Sequence, residues 1–281
     1  MRWRNRRQST NIEDRRGRRP MARKVAGGGL GTIVLVLVGL YFGIDPGVIL
    51  QSTGTLSQPS QTSPVALSPA EKELGEFVAV VLADTEDTWH QIFEQEGSRY
   101  REPTLVLFSG AVESACGYAQ SATGPFYCPA DEKVYIDLSF FEALQNRFGA
   151  PGDFAQAYVI AHEIGHHVQT LAGISKKVHA AKANRSEREA NALSVRQELQ
   201  ADCFAGIWAF HADRARQLLE KGDIDEALNA ANAIGDDRLQ MQSRGHVVPD
   251  SFTHGTSAQR IEWFKRGFAT GSLSSCNTFQ N

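Results

Sequence analysis

Between Lys24 and Asp45 the chain runs for 20 residues without a charge, "VAGGGLGTIVLVLVGLYFGI". At about 1.5 Å per helical residue, such a run spans the roughly 30 Å hydrocarbon core of a bilayer. Its six glycines make it a poor candidate for a buried helix of a water-soluble core. Ahead of it, residues 1–24 hold ten basic side chains (Arg2, Arg4, Arg6, Arg7, Arg15, Arg16, Arg18, Arg19, Arg23 and Lys24) against Glu13 and Asp14, a net +8. A basic flank on one side alone orients a span with that side in the cytoplasm. The sequence therefore predicts a basic cytoplasmic segment over 1–24 and a single transmembrane anchor over 25–45. The rest of the chain is then periplasmic or otherwise extracytoplasmic, tethered to the inner membrane. The arginines read as a flank for lipid headgroups, so no nucleic-acid partner is expected.

Residues 46–68, with "QSTGTLSQPSQTSP" at their heart, carry no charge and few large apolar groups, the composition of a flexible linker. From residue 69 onward there are 19 basic and 29 acidic side chains, a net −10, in a stretch long enough for one domain over 69–281. All four cysteines lie there. An even number in an exported domain suggests disulfides. Cys116 and Cys128 flank "GYAQSATGPFY", which reads as a hairpin, so they are expected to pair with each other, leaving Cys203 for Cys276.

Helical spacing of Leu74, Phe77, Val78, Val81 and Leu82 predicts a helix over about 69–96. "PTLVLFSG" (103–110) and "KVYIDLSF" (133–140) have strand composition and suggest a small antiparallel sheet. Helices are expected from about 151 to 171, from Ser186 to about His211, and over 213–221, 224–234 and 257–270. Helix, small sheet and then helices make an α+β domain.

The chemistry concentrates in "AHEIGHHVQT", residues 161–170. His162 and His166, four apart, leave one face of a helix a turn apart and can share a metal ion. Glu163 stands beside that ion rather than on it, where it can take the proton of an attacking water. His167 points about 100° away from His166. A catalytic zinc takes a third protein ligand. "RQELQADCFAG" offers Glu198 as that ligand, and Asp202, one turn on, as the group that receives the free N–H of a ligating histidine. Glu187 and Glu189 are rivals, but a capping box already employs them at the helix start.

"HEIGH" with the later "E-x-x-x-D" resembles the gluzincin metallopeptidases. The strings "ACGYAQSATGPFYCPADEKVYIDLSFF", "VIAHEIGHHVQ", "ELQADCFAG" and "SFTHGTSAQRIEWFKRGF" look more closely like the bacterial neutral zinc metallopeptidase family. The resemblance covers about 69–281. The residues read as a membrane-anchored zinc endopeptidase hydrolysing peptide bonds of exported proteins; the resemblance implies a small gluzincin-like fold with mostly helices and a short antiparallel sheet, one Zn2+ per chain and a membrane-anchored exported domain, and supplies no substrate. It also assigns a downstream histidine to the oxygen that gains charge in the reaction, and His254 fits that role better than His246, His211 or His179. Arg260 is expected to anchor its helix to a carboxylate. Substrate in such folds adds a strand to a sheet edge; Ala115, Cys116, Gly117 and Tyr118 are the expected edge. An alternative is an inert binding or scaffold protein on the same fold, and the intact Glu163 argues against it.

Overall fold

The computed structural model of the protein describes residues 1–17 and 66–280. The expected anchor (25–45) and most of the expected linker (46–68) lie outside the described residues. Residues 1–16 and 67–281 form one compact body. Helix α1 (Pro69–Gln95) opens with a capping box. Ser68 Oγ accepts the Glu71 N–H, the Glu71 carboxylate accepts the Ser68 N–H, and Pro69 fills the first turn. Its inner face buries Phe77, Val78, Val81, Leu82, Trp89 and Ile92.

The arginine-rich head is part of this body. Met1 is in the core, and Trp3 stands edge-on to Phe77 with ring centroids 5.4 Å apart. The Ser9 N–H donates to the Ala79 carbonyl at 2.9 Å, and Asn11 Nδ2 donates to the buried Glu86 at 2.8 Å. Strand β1 (Ile12–Asp14) pairs in parallel with β2 (Thr104–Phe108). The arginines neutralise acids of α1: Arg4 lies 2.6 Å from Glu73 and Arg7 2.7 Å from Asp87. Arg15 and Arg16 likewise lie against Glu13 and Asp14, so these four cations of the head are paired with carboxylates of the protein. Among the described residues no helix is long and apolar enough to cross a bilayer. Over the described residues the fold is mixed α+β with short sheets, and no membrane-spanning helix is among its elements.

The main sheet has the order β1-β2-β6-β5, with β6 at Lys133–Asp137 and β5 at Phe126–Cys128. β1, β2 and β6 run parallel, and only β5 is antiparallel, against β6. The wholly antiparallel sheet expected from sequence is thus corrected. Parallel partners come from distant segments, and three residues among arginines carry no hydrophobic alternation to announce β1. A separate hairpin joins β3 (Ala111–Ser114) to β4 (Gly117–Gln120). Cys116 and Cys128 are bonded as expected, but they tie this hairpin to β5 rather than closing a hairpin of their own.

Seven more α-helices follow among the described residues. After β6 comes α2 (Ser139–Asn146), where strand had been expected to continue. Helix α3 (Asp153–Leu171) packs on α5 (Glu187–Arg216), with α4 (Ile174–Lys182) between them in sequence. The α3–α5 approach is close: a Cβ on Gly165 would stand 3.0 Å from the Ala201 carbonyl oxygen. Helix α5 absorbs the start of the helix expected at 213–221 and stops at Gln217, whose φ is 50°. Helices α6 (Asp223–Ala233), α7 (Asp236–Arg244) and α8 (Ser257–Thr270) follow. α8 crosses α5 through small residues, since a Cβ on Gly267 would fall 1.9 Å from the Cys203 carbonyl oxygen. The Cys203–Cys276 disulfide fastens the tail to α5.

Candidate metal centre

His162 and His166 leave α3 toward α5, and Glu198 of α5 meets both. Glu198 Oε2 is 3.1 Å from His162 Nε2 and 3.3 Å from His166 Nε2. The other ring nitrogens face away from this point. His162 Nδ1 lies 2.8 Å from Asp202 Oδ1, and His166 Nδ1 lies 2.9 Å from Gln169 Oε1. Acceptors at both Nδ1 atoms leave Nε2 as the metal-binding nitrogen of each ring. Two imidazole nitrogens and one carboxylate fit a catalytic zinc, which keeps a fourth position for water or substrate.

Asp202 is fully buried and more heavily engaged than a helix-surface acid. It accepts from Arg260 Nε and Nη2, both at 2.9 Å, and from the Tyr158 hydroxyl. Burial alone would raise its pKa, but Arg260 and His162 bring it down to about 2. Arg260 has the structural duty expected of it, being buried and committed to Asp202 and the Tyr158 oxygen. Burial would also raise Glu198, yet His166 and His162 hold it well below the usual carboxylate range. Burial would lower both imidazoles. Asp202 and Glu198 outweigh it, so His162 rises and His166 is pushed up to about 10. Zinc would compete with protons for the same two Nε2 atoms.

Glu163 is 7% exposed and takes part in no hydrogen bond among the described residues. Burial raises its pKa against the pull of His166 and His162, which makes its carboxylate a stronger base. It borders a cleft of about 1000 Å3 together with both histidines, Glu198 and His254. His254 sits on the loop before α8. Its N–H donates to Asp236 Oδ2 at 2.6 Å and its Nδ1 is 3.2 Å from Asp236 Oδ1, which raises its pKa. His167 stays out of the site: it is buried, hydrogen-bonded to the Tyr127 hydroxyl at 3.1 Å and to the Arg101 carbonyl at 2.6 Å. Glu187 and Glu189 are exposed at the start of α5.

The residues expected to form the substrate edge lie away from this cleft. Gly117 and Tyr118 belong to the exposed hairpin, and none of Ala115, Cys116, Gly117 and Tyr118 borders the cleft. The edge strand that does border it is β5, through Phe126 and Tyr127. Sequence reasoning also missed Gln169, Gln200 and Tyr158. Gln169 had a visible signal, three residues beyond His166 and so on the same helical face.

Ligands drawn from one H-E-x-x-H helix and a carboxylate on the next long helix characterise a class of metallopeptidases. The chain belongs to one such family, described as "Putative neutral zinc metallopeptidase", whose pattern matches residues 1–279 and so takes in the docked head. Similar proteins include YpfJ of Escherichia coli strain K12, 53% identical over 287 residues and 99% of both chains, and Rv2575 of Mycobacterium tuberculosis strain H37Rv, 39% identical over 252 residues, 85% of this chain and 84% of the relative. Both relatives are described as uncharacterized proteins. No solved structure matches the chain at a significant level.

Proposed function

We propose that the protein is a zinc-dependent endopeptidase that holds one Zn2+ with His162, His166 and Glu198 and cleaves exported proteins. The observation that carries this reading is the convergence of two Nε2 atoms on one carboxylate oxygen, within 3.3 Å, while both Nδ1 atoms are engaged elsewhere. Zinc bound there would supply Lewis acidity, polarising a carbonyl and acidifying water. The chain's own groups supply the rest. Glu163 takes the proton of the attacking water and passes it to the leaving nitrogen. His254, oriented by Asp236, donates to the carbonyl oxygen as that oxygen gains charge, and losing one such donor costs on the order of 10²–10³ in rate. Asp202 fixes the tautomer of His162. An extended substrate would add a strand to β5, whose outer edge has no partner strand among the described residues. The two disulfides support an oxidising, extracytoplasmic site for the whole body, residues 1–16 included.

The test is cleavage of casein or a quenched peptide by the full chain, with and without chelator, beside Glu163→Gln. The variant should keep its zinc and lose roughly 10²–10⁴ in kcat. A Glu163→Gln protein that no longer binds zinc would overturn the role given to Glu163. Zinc-loaded wild type that leaves every substrate intact would sink the endopeptidase reading.

A further inference from the structure

His162 and His166 are held by different chemistry. The first faces an ionised carboxylate, the second a neutral amide. We propose that Gln169 and Gln200 set the tautomer and orientation of His166 and thereby tie its affinity for metal to the docking of the C-terminal tail. This rests on the reading of His166 as a zinc ligand.

Both glutamines are buried, Gln169 completely and Gln200 to 6% exposure. Gln169 Nε2 donates to the Gln197 carbonyl at 2.7 Å and to Gln200 Oε1 at 3.1 Å. Gln200 Nε2 donates to the Cys276 carbonyl at 3.0 Å. An amide side chain can be turned either way, but a backbone carbonyl only accepts. The Cys276 carbonyl therefore requires the nitrogen of Gln200, which leaves its oxygen toward Gln169. The Gln197 carbonyl requires the nitrogen of Gln169, which leaves its oxygen toward His166. An acceptor at 2.9 Å from His166 Nδ1 places the ring proton there and the lone pair on Nε2, toward Glu198. Turning either amide over would replace a buried N–H···O bond with two facing oxygens, at about 1 kcal/mol or more each. Two main-chain carbonyls thus determine the tautomer of a histidine that neither touches.

The far end of this chain is firmly held. Cys276 is bonded to Cys203 on α5, and the Thr278 hydroxyl donates to the Arg196 carbonyl at 2.6 Å. The tail therefore presents a fixed acceptor to Gln200. A simpler role is open to both glutamines, that of polar bridges between α3 and α5. The two roles differ in what they move. A bridge alters the stability of the protein without metal, whereas an orienting group alters the metal.

Three variants of the full chain separate them: Gln169→Leu, Gln169→Glu and Gln200→Leu. Zinc affinity is measured by competition with a chromophoric chelator, ligand geometry by the visible spectrum of the cobalt-substituted protein, and stability by thermal unfolding after chelation. Gln169→Leu removes the acceptor at Nδ1 and should weaken zinc 10–100-fold with an altered cobalt spectrum. Gln169→Glu keeps that acceptor, as Asp202 does for His162, but loses the donors. It should unfold earlier yet hold zinc nearly as tightly as wild type. Gln200→Leu, one step removed, should weaken zinc by less than Gln169→Leu and supplies the reading if that variant fails to fold. Zinc affinity and cobalt spectra unchanged in the folded leucine variants, with only stability reduced, would overturn the proposal. A wild type that takes up no zinc would instead remove the metal-site reading beneath it.

Discussion

Among the described residues, two places bring ligand atoms of three side chains within 4.8 Å of one another: His162, His166 and Glu198, and Asp153, Asp223 and Glu226. The proposed function gives a metal to the first alone. In the second, each carboxylate already has work. The Met1 ammonium lies 2.7 Å from Asp153 and 3.3 Å from Asp223. Asp223 also accepts the Glu220 N–H at 2.8 Å, and Glu226 accepts the Phe154 N–H at 3.0 Å, at the start of α3. These acids stabilise a cation and a helix terminus. In the first cluster the inner atoms are lone pairs turned toward one point, and the outer atoms are held by Asp202 and Gln169. The number of acids does not separate the two places. What the outer atoms are bonded to does.

The comparison breaks most visibly by deleting one member of each cluster. Glu198→Ala should remove stoichiometric zinc, while Glu226→Gln should leave it intact; metal analysis after dialysis reads both. Zinc lost from Glu226→Gln and kept in Glu198→Ala would reverse the assignment. The next largest contrast lies between two buried aspartates. Asp202→Asn should weaken zinc about 10–100-fold. It also leaves Arg260 buried without its charge partner, at about 3–5 kcal/mol. Asp223→Asn should change stability by no more than about 1 kcal/mol and leave zinc untouched, since an amide oxygen still accepts the Glu220 N–H. Denaturant titration of the two variants checks this.

Their pH dependences should differ in sign. Asp202, at about 2, lies below its ordinary value of 3.8, so its contribution is complete above the ordinary aspartate range and is lost as pH falls toward 2. Asp223 is raised by burial, so its ionised form costs stability, and the cost is relieved on acidification. The asparagine variants should therefore lose stability relative to wild type at neutral pH for Asp202 and converge with it in acid. The smallest effect belongs to the docked head. Glu13 is lowered from 4.5 to about 2 by hydrogen bonds from Arg15 and Lys133. Its contribution should fade between those values, by under about 1 kcal/mol, because the pair is partly exposed and screened. Fluorescence of Trp3, packed on Phe77, would report the loosening. A signal flat from neutral pH to pH 2, with the rest folded, would show that Glu13 does not hold the head.

Much of the site was legible because it is local. A helical turn places His162 and His166 on one face, and a second helix with carboxylates one turn apart needs only to meet it. The family's strings carried the rest of that inference. The head was misread for a physical reason: arginines before an uncharged run look alike whether they face lipid or the acids of α1. Their partners Glu73 and Asp87 lie about 70 to 80 residues away. Which strand borders the cleft was not legible for a related reason. Strand composition locates a strand, but which strand ends a sheet depends on every other pairing.

By itself the sequence determined the helices with their capping boxes, the H-E-x-x-H turn and the cysteine pairs, because each depends on neighbours within a few residues or on simple elimination. Only the tertiary structure decided that residues 1–16 belong to the domain, that β5 rather than the Cys116 turn borders the cleft, and that Gln169 and Gln200 stand behind His166. Those outcomes depend on hydrogen bonds between groups far apart in the chain. A buried donor or acceptor must be satisfied by whatever the packing brings to it, and no spacing along the sequence says what that will be.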